Sequence, residues 1–186
     1  MAKIFSVDAE VDGLYGPAFA VAVTVREDGH EIAKFVGRVP DELVTNDWVT
    51  KNVLPTLGDM PVTHSSSEEL EETFWAFWAQ TFVPGEYGPK PDSALVVIAH
   101  VASPVESGLF RRCVERDGSR MFCGPMPIHE VGTLLLALGE DPSSVDGYNK
   151  KHGLAVPFEG VTHHPMYDAA AAAIVWEHAM ARLQSR

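Results

Sequence analysis

The run Ala94 to Ala99 (Ala-Leu-Val-Val-Ile-Ala) contains no polar residue. A strand with one solvated face alternates apolar and polar side chains, whereas an unbroken apolar run marks a strand covered on both faces. This segment directs the chain towards a sheet with helices on its faces. Upstream, Lys3 to Val7 reads as a buried strand and Ala18 to Val25 as a second. Glu27-Asp28-Gly29 is a turn signal, and a third strand follows over Glu31 to Val39. These three fit an antiparallel meander.

Helical periodicity dominates the rest. Ser65 and Ser66 stand three residues before Glu68 and Glu69, which is capping-box spacing. The apolar stripe Leu70, Phe74, Phe77, Trp78 and Phe82 then continues a helix whose aromatics read as core packing. Further helices are predicted from Pro104 to Arg116, from His129 to Leu138 with a stop at Gly139, from Tyr148 to His152 with a stop at Gly153, and from Pro165 through Trp176 to Leu183. A Pro- and Gly-rich loop spans Pro84 to Pro91. A meander followed by strands joined through helices is an α/β arrangement: a mixed sheet, antiparallel in its first three strands and parallel beyond, flanked by helices. The 186 residues suit one domain, 1–186, and are enough to close a core without staples.

Charge narrows the functions. Against 26 Asp and Glu there are 14 Lys and Arg, a formal net charge of -12, which argues against a protein that coats duplex nucleic acid through a basic surface. It leaves room for an enzyme that grips a strand end through bound cations, because such ions invert the local charge. Cys113 and Cys123 are too few for a disulfide framework or a zinc ribbon and are expected to be reduced. No segment is long and apolar enough to span a bilayer, and the amino-terminal segment meets Asp8 too early for a secretory signal, so the expected location is the cytoplasm.

Three segments can carry chemistry. Asp8 and Glu10 flank Ala9 at the end of the first strand and therefore point to the same face. Two carboxylates crowded there repel, so either one takes a proton or a hard cation such as Mg²⁺ neutralises them. The segment His163-His164-Pro165-Met166-Tyr167-Asp168 places Pro165 at the favoured first helical position, His164 at the N-cap, and Asp168 in the first turn, where the helix dipole favours a carboxylate. His163 is left on the preceding loop as an imidazole suited to general-base work at neutral pH. Third, His100 to Glu106 follows the buried strand, at the strand end where ligands gather in α/β sheets. Glu106 is either a further carboxylate ligand or the third residue of a capping box begun at Ser103.

In this order along the chain, Asp8-x-Glu10-x-x-Gly13-Leu14, the Ala99-His100 segment, and His163-x-x-x-x-Asp168-Ala169 resemble the DEDDh 3′–5′ exonucleases, a group with the ribonuclease H-like fold that includes oligoribonuclease and proofreading subunits. The first and last motifs match the family spacing. In the middle one, Val101 and Val105 replace the usual Asn and Asp, and Glu106 comes one residue later, resembling a Pro-Val-Glu spelling of some ribonuclease-like members. The resemblance implies two Mg²⁺ or Mn²⁺ ions. Asp8, Glu10 and Asp168 hold the one that carries the attacking water, and Asp8 and Glu106 hold the other beside the leaving 3′-oxygen. His163 is the general base, and nucleoside 5′-monophosphates leave from a single-stranded 3′ end. It also places Val11, Gly13 and Leu14 against the terminal nucleotide, with Tyr15 as a stacking candidate and His100 at the same end of the sheet. RNA is favoured over DNA because the family's RNA-processing members are similar in size, and related enzymes often form homodimers.

Two other readings share these residues. One is a ribonuclease H-like binding module that has lost catalysis, which the altered middle motif would suit. The other is a metal-dependent hydrolase of small phosphodiesters. His64, His129, His152 and His178 lack partners at metal-ligand spacing and read as structural or surface residues. No P-loop, zincin, nucleophile-elbow or dinucleotide-binding motif is present.

Overall fold

The computed structural model describes residues 3–86, 88–158 and 160–185. Tyr87, inside the predicted loop from Pro84 to Pro91, lies outside the described residues. The main sheet has five strands: β1 (Lys3–Val11), β2 (Ala18–Glu27), β3 (His30–Arg38), β6 (Leu95–Ala99) and β7 (His129–Glu130), in the order β3-β2-β1-β6-β7. β1 pairs antiparallel with β2 and parallel with β6, and β6 pairs parallel with β7. The predicted mixed sheet is thus observed. A separate two-stranded hairpin joins β4 (Phe82–Val83) to β5 (Lys90–Pro91).

Strand alternation sorts β1 between two cores. Phe5, Val7, Ala9 and Val11 pack with Leu70, Phe74 and Trp78 of α2 (Ser67–Ala79) and with Leu109 and Phe110 of α3 (Val105–Glu115). Ile4, on the opposite face, packs with Leu135 of α4 (Val131–Ala137), Tyr148 of α5 (Val145–His152) and the alanines of α6 (Pro165–Gln184). Ser6, Asp8 and Glu10 share the parity of Ile4 and so project towards α6. Ala169 to Ala173 are all buried, and their small side chains let α6 lie close enough for Ser6 Oγ to donate to the Ala169 carbonyl at 2.7 Å. A branched residue at Ala171 or Ala173 would overpack this contact, at about 1–3 kcal/mol.

Several elements differ from the predicted ones. α1 (Asp47–Asn52) occupies the polar stretch after β3, capped by Asn46, whose side chain accepts from the Trp48 and Val49 amides. α2 begins after Ser66, whose hydroxyl accepts from Glu69 N, while the Glu69 carboxylate reaches back to Ser65. The helix stops at Ala79, and Phe82 belongs to β4, where its ring meets Trp75 and Trp78 edge-on. His129 and Glu130 form a strand because the sheet edge at Ile98 and Ala99 offers them backbone partners, a tertiary pairing that local periodicity does not reveal. β1 runs on to Val11 because β2 continues to pair with it. No helix among the described residues is long and apolar enough to cross a membrane.

Candidate active site

The parallel pairing of β1 with β6 ends at Ser6, so the next stretch of β1 is open on that side. α3 covers it. The Ala9 amide donates to Glu106 Oε1 at 3.1 Å, which places the Glu106 carboxylate beside the end of the strand. This removes the cap reading left open by the spacing. Pro104, not Ser103, is the N-cap of α3, no side chain caps the helix, and Glu106 turns inward instead of back. It is 3% exposed, and its Oε2 has no hydrogen-bond partner.

The second contribution comes from α6. Pro165 opens that helix after His164, so Asp168 faces β1 from the first turn. A ligand oxygen each from Asp8, Glu10 and Asp168 lies within 4.8 Å of the others; Glu106 stands outside this tight trio. His163 is held with φ 70°, its amide donating to Asp168 Oδ2 at 2.7 Å and its carbonyl accepting from Thr56 Oγ1 at 2.8 Å. Its Nδ1 lies 3.6 Å from Glu10 Oε1.

These carboxylates repel one another in a poorly solvated place. Burial, then the charges of Glu106, Glu10 and Asp168, push the Asp8 carboxyl well above the usual range. Burial raises Glu10, against the opposing pull of His163. Glu106 is pushed up to about 8 and Asp168 to about 7, in both cases chiefly by burial. The Glu10 carboxylate in turn raises the His163 imidazole. No Lys or Arg lines the cleft, and every arginine among the described residues is already paired with a carboxylate elsewhere. An all-oxygen donor set, a shortage of positive charge and an orphaned buried oxygen on Glu106 together fit hard divalent cations.

The cleft around these groups has a volume of about 670 Å³. Val11, Gly13, Leu14 and His100 line it, and His100 Nε2 sits 2.9 Å from the Pro142 carbonyl. Gly13 has φ 80°, and a Cβ there would meet Asn46 Nδ2 at 3.1 Å, so glycine suits both the backbone and the space. Tyr15 is 79% exposed and takes no part in the lining.

Other lining residues had no motif to announce them. Trp48 of α1, 60% exposed, stands edge-on to His163 with ring centroids 6.4 Å apart. Asp12 fixes this wall by accepting from the Thr45 and Asn46 amides and from Thr45 Oγ1, so its carboxyl lies below its usual value despite some burial. An acidic residue two positions past Glu10, on the same parity, was the available signal for Asp12. The other histidines take structural places: Tyr148 Oη meets His178 Nδ1 at 2.9 Å, and His129 packs on Trp176. His164 is buried beside Phe158, and that burial lowers its imidazole.

A scan against protein-family models matches none, and a search of curated proteins finds no match. Among solved structures, exonuclease X in complex with 5′ overhanging duplex DNA matches with a TM-score of 0.55 and 19% sequence identity, over 96% of this chain and 92% of that chain. At that identity the likeness shows the fold alone: this chain shares the α/β fold of that structure, with a mixed sheet flanked by helices.

Proposed function

We propose that residues 1–186 form one metal-dependent 3′–5′ exonuclease domain that releases nucleoside 5′-monophosphates from a single-stranded 3′ end. The observation that carries this reading is the convergence of Asp8, Glu10 and Asp168 within 4.8 Å, with no Lys or Arg among the cleft residues. Asp8, Glu10 and Asp168 would hold one Mg²⁺ or Mn²⁺, and Asp8 with Glu106 a second. When bound, two such ions stabilise both the attacking and the leaving oxygen of an in-line displacement at phosphorus.

The chain's own groups do the rest. His163 takes the proton of the attacking water; its ring is half-exposed, so it can reach that proton and return it to solvent. In the metal-free protein Glu10 competes for this imidazole, and neutralising Glu10 frees it as a base. The Asp168 carboxylate also grips the His163 amide, so one residue serves the cation site and fixes the base. Val11, Leu14 and Trp48 offer apolar surface to the terminal nucleotide, where stacking on an aromatic is worth about 1–3 kcal/mol per base.

RNA is the first substrate to test, on the ground of the family resemblance. DNA is the second reading, favoured by the neighbour that was solved on duplex DNA. The unpartnered Glu106 oxygen speaks against an inactive binding module, since a chain with no use for a cation gains nothing by burying it. The experiment uses RNA and DNA oligonucleotides of one sequence, 5′-labelled, with Mn²⁺. A ladder shortening from the 3′ end, with mononucleotide as product and none from Asp8→Ala, is expected. Cleavage of an aryl phosphodiester but of neither oligonucleotide would transfer the site to small phosphodiesters.

A further inference from the structure

Val101 adopts φ 59°, a region that a β-branched residue seldom occupies. It stands on the wall of the cleft, at the position where the family motif has Asn. Such a conformation persists only where its surroundings over-determine it. Here one side chain holds two successive amides. Glu130 Oε1 accepts the Val101 amide at 2.9 Å, and Oε2 accepts the Ala102 amide at 2.7 Å. Oε1 also takes the Gly132 amide at 3.0 Å, which caps α4.

The connection continues to the cation site. The Ala102 carbonyl accepts the Ser107 amide at 2.9 Å, in the first turn of α3 and next to Glu106. Glu130 is itself fixed to the sheet, because β7 pairs it with Ala99. Three backbone amides converge on this one side chain, which makes it a strut from the sheet edge to the base of α3.

We propose that Glu130 is a positioning residue: it holds the His100–Ala102 turn in its left-handed form and thereby sets the first turn of α3, so that Glu106 presents its free oxygen to the second cation. Glu130 lies outside the cleft lining and acts through Ala102 and Ser107. The inference rests on the metal-dependent reading above.

The test separates the strut from the cap. In Glu130→Asp the new side chain remains a favoured N-cap for α4 but is one methylene short of the turn. This variant should melt close to the wild-type protein. Calorimetric titration with Mn²⁺ should show the tighter ion bound as before and the weaker one at least tenfold weaker, about the effect of removing a group that orients a metal ligand. Turnover should fall about tenfold with little change in KM. Glu130→Ala should lose the cap as well and melt lower. Wild-type affinity for the second ion in Glu130→Asp would overturn the proposal, as would equal weakening of both ions, or a wild-type protein that takes up a single ion. If the Mn²⁺ titrations behave as expected but no oligonucleotide is cut, the nuclease reading fails and the positioning role stands.

Discussion

Two buried carboxylate sites in this molecule solve the same problem in opposite ways. Glu71, 0% exposed on α2, accepts from Ala18 N, from Arg112 Nε at 2.7 Å and from an Arg116 guanidinium nitrogen at 2.5 Å. Asp8, Glu10, Glu106 and Asp168 converge with only the His163 imidazole among them, and burial, then for all but Glu10 the neighbouring carboxylates, makes them weaker acids than usual. Where the chain needs an anchor it supplies arginine. Where it leaves carboxylates together without arginine, the proposed function draws the compensating charge from solution. A buried anion is costly in either case, and the source of its partner separates structure from chemistry.

That contrast can be broken most sharply at Asp8. Asp8→Asn should lower exonuclease turnover by about 10⁴-fold, since bound ions contribute several kcal/mol to stabilising the transition state. The same change should raise the melting temperature of the metal-free protein, because it relieves repulsion. A lower melting temperature in metal-free buffer would place Asp8 with Glu71 as a structural residue. Glu71→Ala should do the reverse. It strands Arg112 and the Ala18 amide, so stability in urea should fall by about 3–5 kcal/mol while turnover per folded molecule holds.

His163→Ala tests the one titratable group shared with the carboxylates. Turnover should fall about a hundredfold, within the range for loss of a general base, with Mn²⁺ affinity near wild type. Unchanged turnover would assign proton removal to another group. Glu106→Gln keeps an oxygen for the Ala9 amide but loses its charge, so it should weaken activity and the second ion without unfolding the protein.

A further expected effect is a pH dependence. Asp168 at about 7 and Glu106 at about 8 both lie above their unfolded values. The folded, metal-free state therefore holds protons that the unfolded chain releases. Their contribution is complete below the unfolded values and is lost as pH rises through 7 and 8. Melting of the metal-free protein should therefore fall between pH 5 and pH 8.5. Mn²⁺ at a hundred times its Kd at pH 6 should add about 2.7 kcal/mol, roughly 5–10 °C for a chain of this size, and the same Mn²⁺ concentration should add more at pH 8. A melting curve indifferent to both pH and Mn²⁺ would mean that these carboxylates do not crowd one another.

How much of this was legible depended on the range of the interaction. Asp8 and Glu10 share a face by strand parity, and Pro165 places His163 outside the helix and Asp168 within it; each is a local rule acting over a few residues. Glu106 was ambiguous because its spacing also fits a cap, and what excludes the cap is its inward turn to the Ala9 amide, 97 positions away in sequence. Glu130, Asp12 and Trp48 were missed for the same reason. Their roles consist of contacts with the turn after β6, with the loop before α1 and with His163, and no periodicity encodes those.

Local sequence determined the class of fold, the strands of the meander, the caps of α2 and α6, and the residue types able to bind cations, because backbone propensity and side-chain parity act over a few residues. Tertiary structure decided which carboxylates meet, which one stays unpartnered and which acid becomes a strut. Those outcomes depend on how β1, α3, β7 and α6 pack, and packing brings together atoms that the chain keeps as much as 163 residues apart.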